Sequence, residues 1–135
     1  MTIDTAMEIQ NFYEQWNDVS GMKALCNSLH SHMASFAGLH IGFVARPGVS
    51  YSIRLLVRGT EAVVALLDVI DDDPEDRWLS LCFPDAIITD PDEEGDLVPN
   101  GLNGNDARCF SIDTMTDTVK GYLKARLGEA AGAKV

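Results

Sequence analysis

From Leu39 to Val57 the apolar residues repeat at every second position along two runs, the spacing at which alternate side chains of an extended chain reach opposite faces of a sheet. Leu39, Ile41 and Phe43 share one face of a first strand, which Arg46-Pro47-Gly48 ends with a turn signal. Tyr51, Ile53, Leu55 and Val57 share one face of a second, with Ser52 and Arg54 turned the other way, and Gly59-Thr60 closes a tight turn. Ala62 to Ile70 forms a third strand and Trp78 to Phe83 a fourth, ended by Pro84. A parallel crossover needs a dozen or more residues between strands, and these breaks are shorter, so the strands pair antiparallel as a meander. The third strand is apolar on both faces apart from Asp68. Such a strand is covered on both sides, either by two layers or by one layer and a dimer contact.

Outside this segment the period changes to that of a helix. Thr5-Ala6-Met7-Glu8 fits a capping box, after which Ile9, Phe12, Tyr13 and Trp16 line one helical face. Ser20-Gly21 breaks that helix. Met22, Leu25, Cys26, Leu29, Met33 and Phe36 then mark a second one, with Gly38 as its terminator. Near the other end, Asp113 or Thr114 caps a third helix carrying Met115, Val119, Tyr122, Leu123 and Leu127 on its apolar side, with Gly128 as its stop. Residues 129–135 read as a frayed tail.

Between the meander and the last helix, Ala86 to Thr89 reads as a short fifth strand and Cys109 to Ile112 as a final one. Residues 90–107 read as a long acidic loop rich in Asn and Gly. The expected fold class is α+β over a single domain, residues 1–135: an N-terminal helical hairpin, an antiparallel β-meander of about four to six strands, and a C-terminal helix packed on the sheet.

Charge is confined to one part of this plan. Thirteen of the twenty-one acidic residues lie between Asp68 and Asp106, against the single basic residue Arg77, so that stretch carries −12 and the remainder +1 of a total of −11. A surface this acidic repels phosphate backbones and anionic bilayers, which excludes nucleic acid and membrane surfaces as partners. It attracts a cationic protein surface or a small cationic ligand. No apolar run is long enough to span a bilayer and MTIDTAMEIQ has no leader character, so a cytoplasmic location is expected. The three cysteines, Cys26, Cys82 and Cys109, form no CxxC and read as buried reduced thiols.

Several residues are candidates for chemistry. Asp90-Pro91-Asp92-Glu93-Glu94-Gly95-Asp96-Leu97 resembles the first half of an EF-hand calcium loop, with oxygen-bearing side chains at alternate positions and Gly sixth. The resemblance implies Ca²⁺ ligands at Asp90, Asp92, Glu94 and Asp96, but it stops there: Gly101 stands where a bidentate Glu is required, and Pro91 is second. Asp71, Asp72, Asp73, Glu75 and Asp76 crowd what reads as a turn. If that turn converged with the 90–106 segment, the two would attract cations together.

Asp68 interrupts an apolar strand, where a carboxylate is costly unless paired; Arg54 is its expected partner, with Tyr51 and Ser52 as neutral ones. Aromatic faces near carboxylates also suit an organic cation, which brings in Trp78 beside Tyr51, Tyr13 and Trp16. Asp68, Arg54, Tyr51 and Trp78 are therefore the ligand-binding candidates.

His30 and His32 point to different sides of their helix. Cys26 and His30 share a side but lack a companion pair for zinc or an orienting group for a nucleophile. No GxSxG, GxGxxG, GxxxxGK[ST] or HExxH pattern occurs. The leading expectation is a non-enzymatic interaction or ligand-binding module for a cationic partner, able to form a homodimer. The alternatives are a calcium-binding domain using residues 90–106 and a small enzyme with a carboxylate acid or base.

Overall fold

A computed structural model describes residues 4–102 and 104–134 and shows the expected α+β plan. Helices α1 (Thr5–Gln15) and α2 (Met22–Ala34) open the chain. Strands β1 (Leu39–Arg46), β2 (Ser50–Val57), β3 (Val63–Ile70) and β4 (Trp78–Pro84) follow, then β5 (Asp96–Leu102), β6 (Asn105–Ile112) and helix α3 (Asp117–Lys134). The six strands make one antiparallel sheet in the order β1-β2-β3-β4-β6-β5. The chain leaving β4 therefore passes the place of β6, forms the outer strand β5, and returns through a hairpin to fill the gap.

All three helices lie on one face of this sheet. Ile53 and Leu55 of β2, Ala65, Leu67 and Val69 of β3, Leu79, Leu81 and Phe83 of β4, and Phe110 and Ile112 of β6 point into a single apolar cluster. The same cluster contains Ile9, Phe12 and Trp16 of α1, Leu25, Leu29 and Met33 of α2, and Leu123, Leu127, Ala130 and Ala131 of α3. The period-two and helical spacings of the sequence thus meet in one core.

Several local boundaries differ from the sequence reading. The first helix is capped one residue early, because the Asp4 carboxylate accepts from the Ala6 amide at 3.0 Å, a role for which Asp is as suited as Thr. The second helix ends at Ala34, and Gly38 instead supplies a left-handed residue (φ 80°) in the turn entering β1. The third starts at Asp117, where the Thr116 hydroxyl accepts from the Val119 amide.

That third helix does not stop at Gly128 but runs to Lys134, so residues 129–134 are no frayed tail. Ala130 and Ala131 are buried in the core, and this packing offsets the poor helix propensity of the neighbouring glycines. Ala86 to Thr89 is not a strand: Asp85–Ile87 makes a single 3-10 turn after Pro84. Nor is 90–107 one long loop, since Asp96–Leu102 pairs with β6, which itself begins at Asn105. The exposure of nearly every β5 residue explains why no apolar alternation announced that strand.

Two buried arrangements replace sequence expectations. Cys82 and Cys109, paired across β4 and β6, are joined by a disulfide, so only Cys26 remains a free thiol, and it is buried. A spacing of 27 residues gave no hint of this, because the contact depends on β6 inserting beside β4.

The aromatic residues near α1 form a cage that already holds a cation. The Arg77 guanidinium lies 5.2 Å from the Tyr51 ring centroid, 5.5 Å from Trp16 and 5.6 Å from Phe12. Arg77 also donates to Asp71 at 2.7 Å, with the two side chains 11% and 4% exposed. Asp71 accepts in addition from the Gly48 amide at 2.8 Å, which ties the acidic turn after β3 to the β1–β2 turn. One of the five clustered carboxylates is therefore structural, and the single cation of the acidic segment is its partner.

Candidate functional site

The connection from β4 to β5 builds the most developed site. Asp90 is its organiser. Its Oδ1 accepts from the Glu94 amide at 3.0 Å and from the Tyr122 hydroxyl, and its Oδ2 accepts from the Gly95 amide at 2.9 Å. Arg108 of β6 approaches the same carboxylate at 3.8 Å and donates to Asp85 at 2.8 Å. Burial pushes the Asp90 carboxyl up, but the Tyr122 hydroxyl, the two amides and Arg108 outweigh it and leave the group below its ordinary range. Burial and the hydrogen bond to Asp90 both raise the Tyr122 phenol, which stays neutral and donating.

A second anchor lies two turns further along α3, where Glu129 accepts from the Thr89 amide at 3.0 Å and from its hydroxyl at 2.5 Å and pairs with Arg126 at 2.8 Å. The guanidinium of Arg126 sits 4.5 Å from the Tyr122 ring centroid. Glu93, between the anchored residues, holds a left-handed backbone (φ 53°), a conformation that a non-glycine residue keeps only when its surroundings impose it. The acidic connection is thus held in one shape.

That shape leaves a gap. Pairing of β5 with β6 begins at Asp96 opposite Cys109, so Phe110 to Ile112 have no strand beside them on that side. Cys82 and Cys109 approach to 4.1 Å between Cα atoms, the spacing of a non-hydrogen-bonded pair. By alternation, the backbone of Ser111 also turns away from β4, toward the gap. Between this free edge, the start of α3 and the held connection is a pocket of about 190 Å³. Phe110, Ile112, Val119, Tyr122 and Leu123 make its apolar wall; Asp92, Glu94 and Asp113 stand at its rim with Ser111, Thr114 and Thr118, and no Lys, Arg or His lines it.

The four calcium candidates do not share one centre. Asp90 spends both oxygens on protein donors, Asp92 and Glu94 line the pocket, and Asp96 begins β5 opposite Cys109. Among the described residues, no group of three or more His, Cys, Asp or Glu side chains is arranged to hold a metal ion. The two acidic segments leave opposite ends of β4, and no hydrogen bond or ion pair joins them among the described residues.

Three of the four ligand-binding candidates meet elsewhere, on the sheet face that carries no helix. The register places Val44, Ser52, Asp68, Ser80 and Ser111 in one row across that face, with Arg54, Leu66, Cys82 and Cys109 in the next and Arg46, Ser50, Ile70 and Trp78 on the other side. Tyr51 belongs to the opposite face, inside the Arg77 cage. Arg54 does not bond Asp68, because the register puts it opposite Leu66, and its Nε donates to Ser52 at 3.3 Å. Asp68 Oδ1 is buried without a partner. Burial raises the Asp68 carboxyl, against the lowering influence of Ser52, Arg54 and Arg46.

On the helix side, the Tyr13 hydroxyl lies 3.5 Å from the Cys26 sulfur and 3.3 Å from His30 Nδ1. Burial pushes the Cys26 thiol up to about 12 and lowers His30, a pairing suited to packing and not to a thiolate nucleophile. The pocket residues Asp113, Thr114 and Thr118 were missed by sequence reading, since nothing local shows that they face Asp92 and Glu94.

No family model, curated protein or solved structure matches this chain. No helix among the described residues is long and apolar enough to cross a membrane.

Proposed function

We propose that the protein is a non-catalytic binding module that receives a cationic group, carried by a basic segment of a partner protein or by a small amine, in the pocket beside β6. One observation carries this reading: an apolar pocket rimmed by Asp92, Glu94 and Asp113 has no basic residue in its lining. A volume of about 190 Å³ is below the range of roughly 300–1,000 Å³ typical of drug-sized ligands, and suits one long side chain. Lys and Arg carry an apolar stem with a charged head, matching an apolar wall below an acidic rim. The free edge at Ser111 supports an extended backbone entering beside it, the mode in which a peptide adds to a sheet. The Asp90 clamp favours binding by holding the rim in place before the ligand arrives.

The test is a titration of the ¹⁵N-labelled protein with tetralysine, followed by amide shifts. Saturable shifts centred on residues 92–94 and 110–123, lost in Asp92→Asn/Glu94→Gln, are the expected result. Equal shifts at the Asp72 to Asp76 turn, or shifts unchanged in that variant, would reduce the pocket to ordinary surface charge.

A further inference from the structure

The sheet face opposite the helices has the composition of an interior. In an antiparallel sheet with one solvated face, outward residues are normally polar. Here Leu56, Leu66, Ile70, Trp78 and the Cys82–Cys109 disulfide point outward from the four central strands, and Val44 and Val98 extend the apolar surface toward the two edges. No helix lies over this side among the described residues, since α1, α2 and α3 all pack on the other; neighbouring side chains already bury Leu56 and Cys82, so the apolar surface left for a partner is Val44, Leu66, Ile70, Trp78 and Val98. The double-sided apolar pattern of β3 is therefore explained only halfway by this chain.

Charge on this face also differs from the rest. Arg46 and Arg54 lie on the β1–β2 side, Asp68 near the middle and Asp96 on β5 at the far edge, so the face sums to zero in a chain of −11. A cationic partner has little to attract it here, whereas a second copy does. We infer that the uncovered sheet face joins two copies of this chain face to face, about a twofold axis running along the strands between β3 and β4. That operation lays the β1–β2 edge of each copy, with its arginines, over the acidic β5 edge of the other, and gives an isologous, self-complementary contact. Aligned packing of two sheets at about −30° accommodates such an arrangement.

Six strands about 4.8 Å apart, with about six residues each at roughly 3.3 Å in the overlap, give a flat footprint of roughly 550 Å². That approaches the lower end of specific interfaces, roughly 600 Å² per partner. Ser80 would then meet the row of the buried, unpartnered Asp68 oxygen from across the interface and supply a hydroxyl donor.

Sedimentation velocity and light scattering test the inference on the full chain. The expected mass is twice 14.7 kDa, with Leu66→Glu and, independently, Ser80→Arg returning it to 14.7 kDa while circular dichroism shows a native melt. Both positions are partly exposed in the single chain and lie outside the helix-covered core, so a fold that tolerates them is expected; Leu97→Glu, on the other side of β5, leaves the dimer intact. Trp78 emission in a Trp16→Phe background shifts to the red on dilution through the dissociation range. A wild-type mass of 14.7 kDa at about 100 µM overturns the inference, as does a dimer that survives both substitutions.

Discussion

Replacing Asp90 by Ala removes the acceptor for three donors, the Glu94 and Gly95 amides and the Tyr122 hydroxyl, and frees Arg108 from one of its two carboxylates. Hydrogen bonds to a charged group contribute about 1.5–3 kcal/mol each. The donors lie near the surface, where water recovers part of each bond, so the summed cost is about 3 kcal/mol. With an unfolding entropy near 2.1 cal/mol/K per residue, 135 residues give roughly 0.28 kcal/mol/K, and the midpoint falls by about 10 °C.

The loss is largest at neutral pH. Asp90 has a lowered carboxyl in the folded state, so its contribution is complete above the unfolded carboxylate range and disappears as pH falls through the folded value; the two melting curves converge below about pH 4. Thermal melting between pH 3 and 7, with limited proteolysis across residues 88–95, measures both effects. A variant melting within about 2 °C of wild type at pH 7, with the connection equally resistant to protease, would refute the claim that Asp90 organises the site.

Arg77→Met should cost about 3–5 kcal/mol in urea unfolding, because it strands the buried Asp71 carboxylate, and adding Asp71→Asn should recover part of the loss; strictly additive effects would show that the pair is not coupled. Asp68→Asn should raise the melting temperature at pH 7. The Asp68 carboxyl is raised on folding, so its ionised form destabilises the native state, and the difference from wild type closes as pH falls through the folded value; an equal or lower midpoint at pH 7 contradicts this. Cys82→Ser/Cys109→Ser should cost about 3 kcal/mol for releasing a cross-link spanning 27 residues, and reductant should reproduce most of it in wild type. Titration of three free thiols in the unreduced, unfolded protein would disprove the link.

The elements that bury a periodic face were readable from the sequence. The helix stripes of α1, α2 and α3 and the alternation of β1 to β4 each express burial of one side in a local pattern. Strand β5 escaped because it lies at the sheet edge and buries almost nothing, so its sequence answers to solvent and to backbone pairing alone. The site was half legible: acidic residues at 90–96 marked the segment, but its division of labour depends on Tyr122, Arg108 and Glu129, each brought in by tertiary packing. Arg54 and Asp68 were correctly placed on neighbouring strands, yet a register offset of one pair puts Ser52, not Arg54, opposite Asp68. The disulfide also overturns the reading of all three cysteines as reduced thiols, which nothing local to Cys82 or Cys109 could correct.

Salt separates the two binding surfaces. A cation held by Asp92, Glu94 and Asp113 at an exposed rim is attracted through solvent, so its affinity falls as the Debye length shortens from about 30 Å at 0.01 M to about 8 Å at 0.15 M. The arginine and acidic edges that meet across the sheet contact attract at short range, where salt screens little, but each copy also brings −11 of charge to the association. Screening weakens that repulsion, so added salt should strengthen self-association over the same range in which it weakens tetralysine binding. Opposite slopes in one salt series would mean that the acidic excess serves the pocket and opposes the sheet contact. Parallel slopes would require both partners to meet the same acidic surface, which the placement of Arg46 and Arg54 on the uncovered face does not allow.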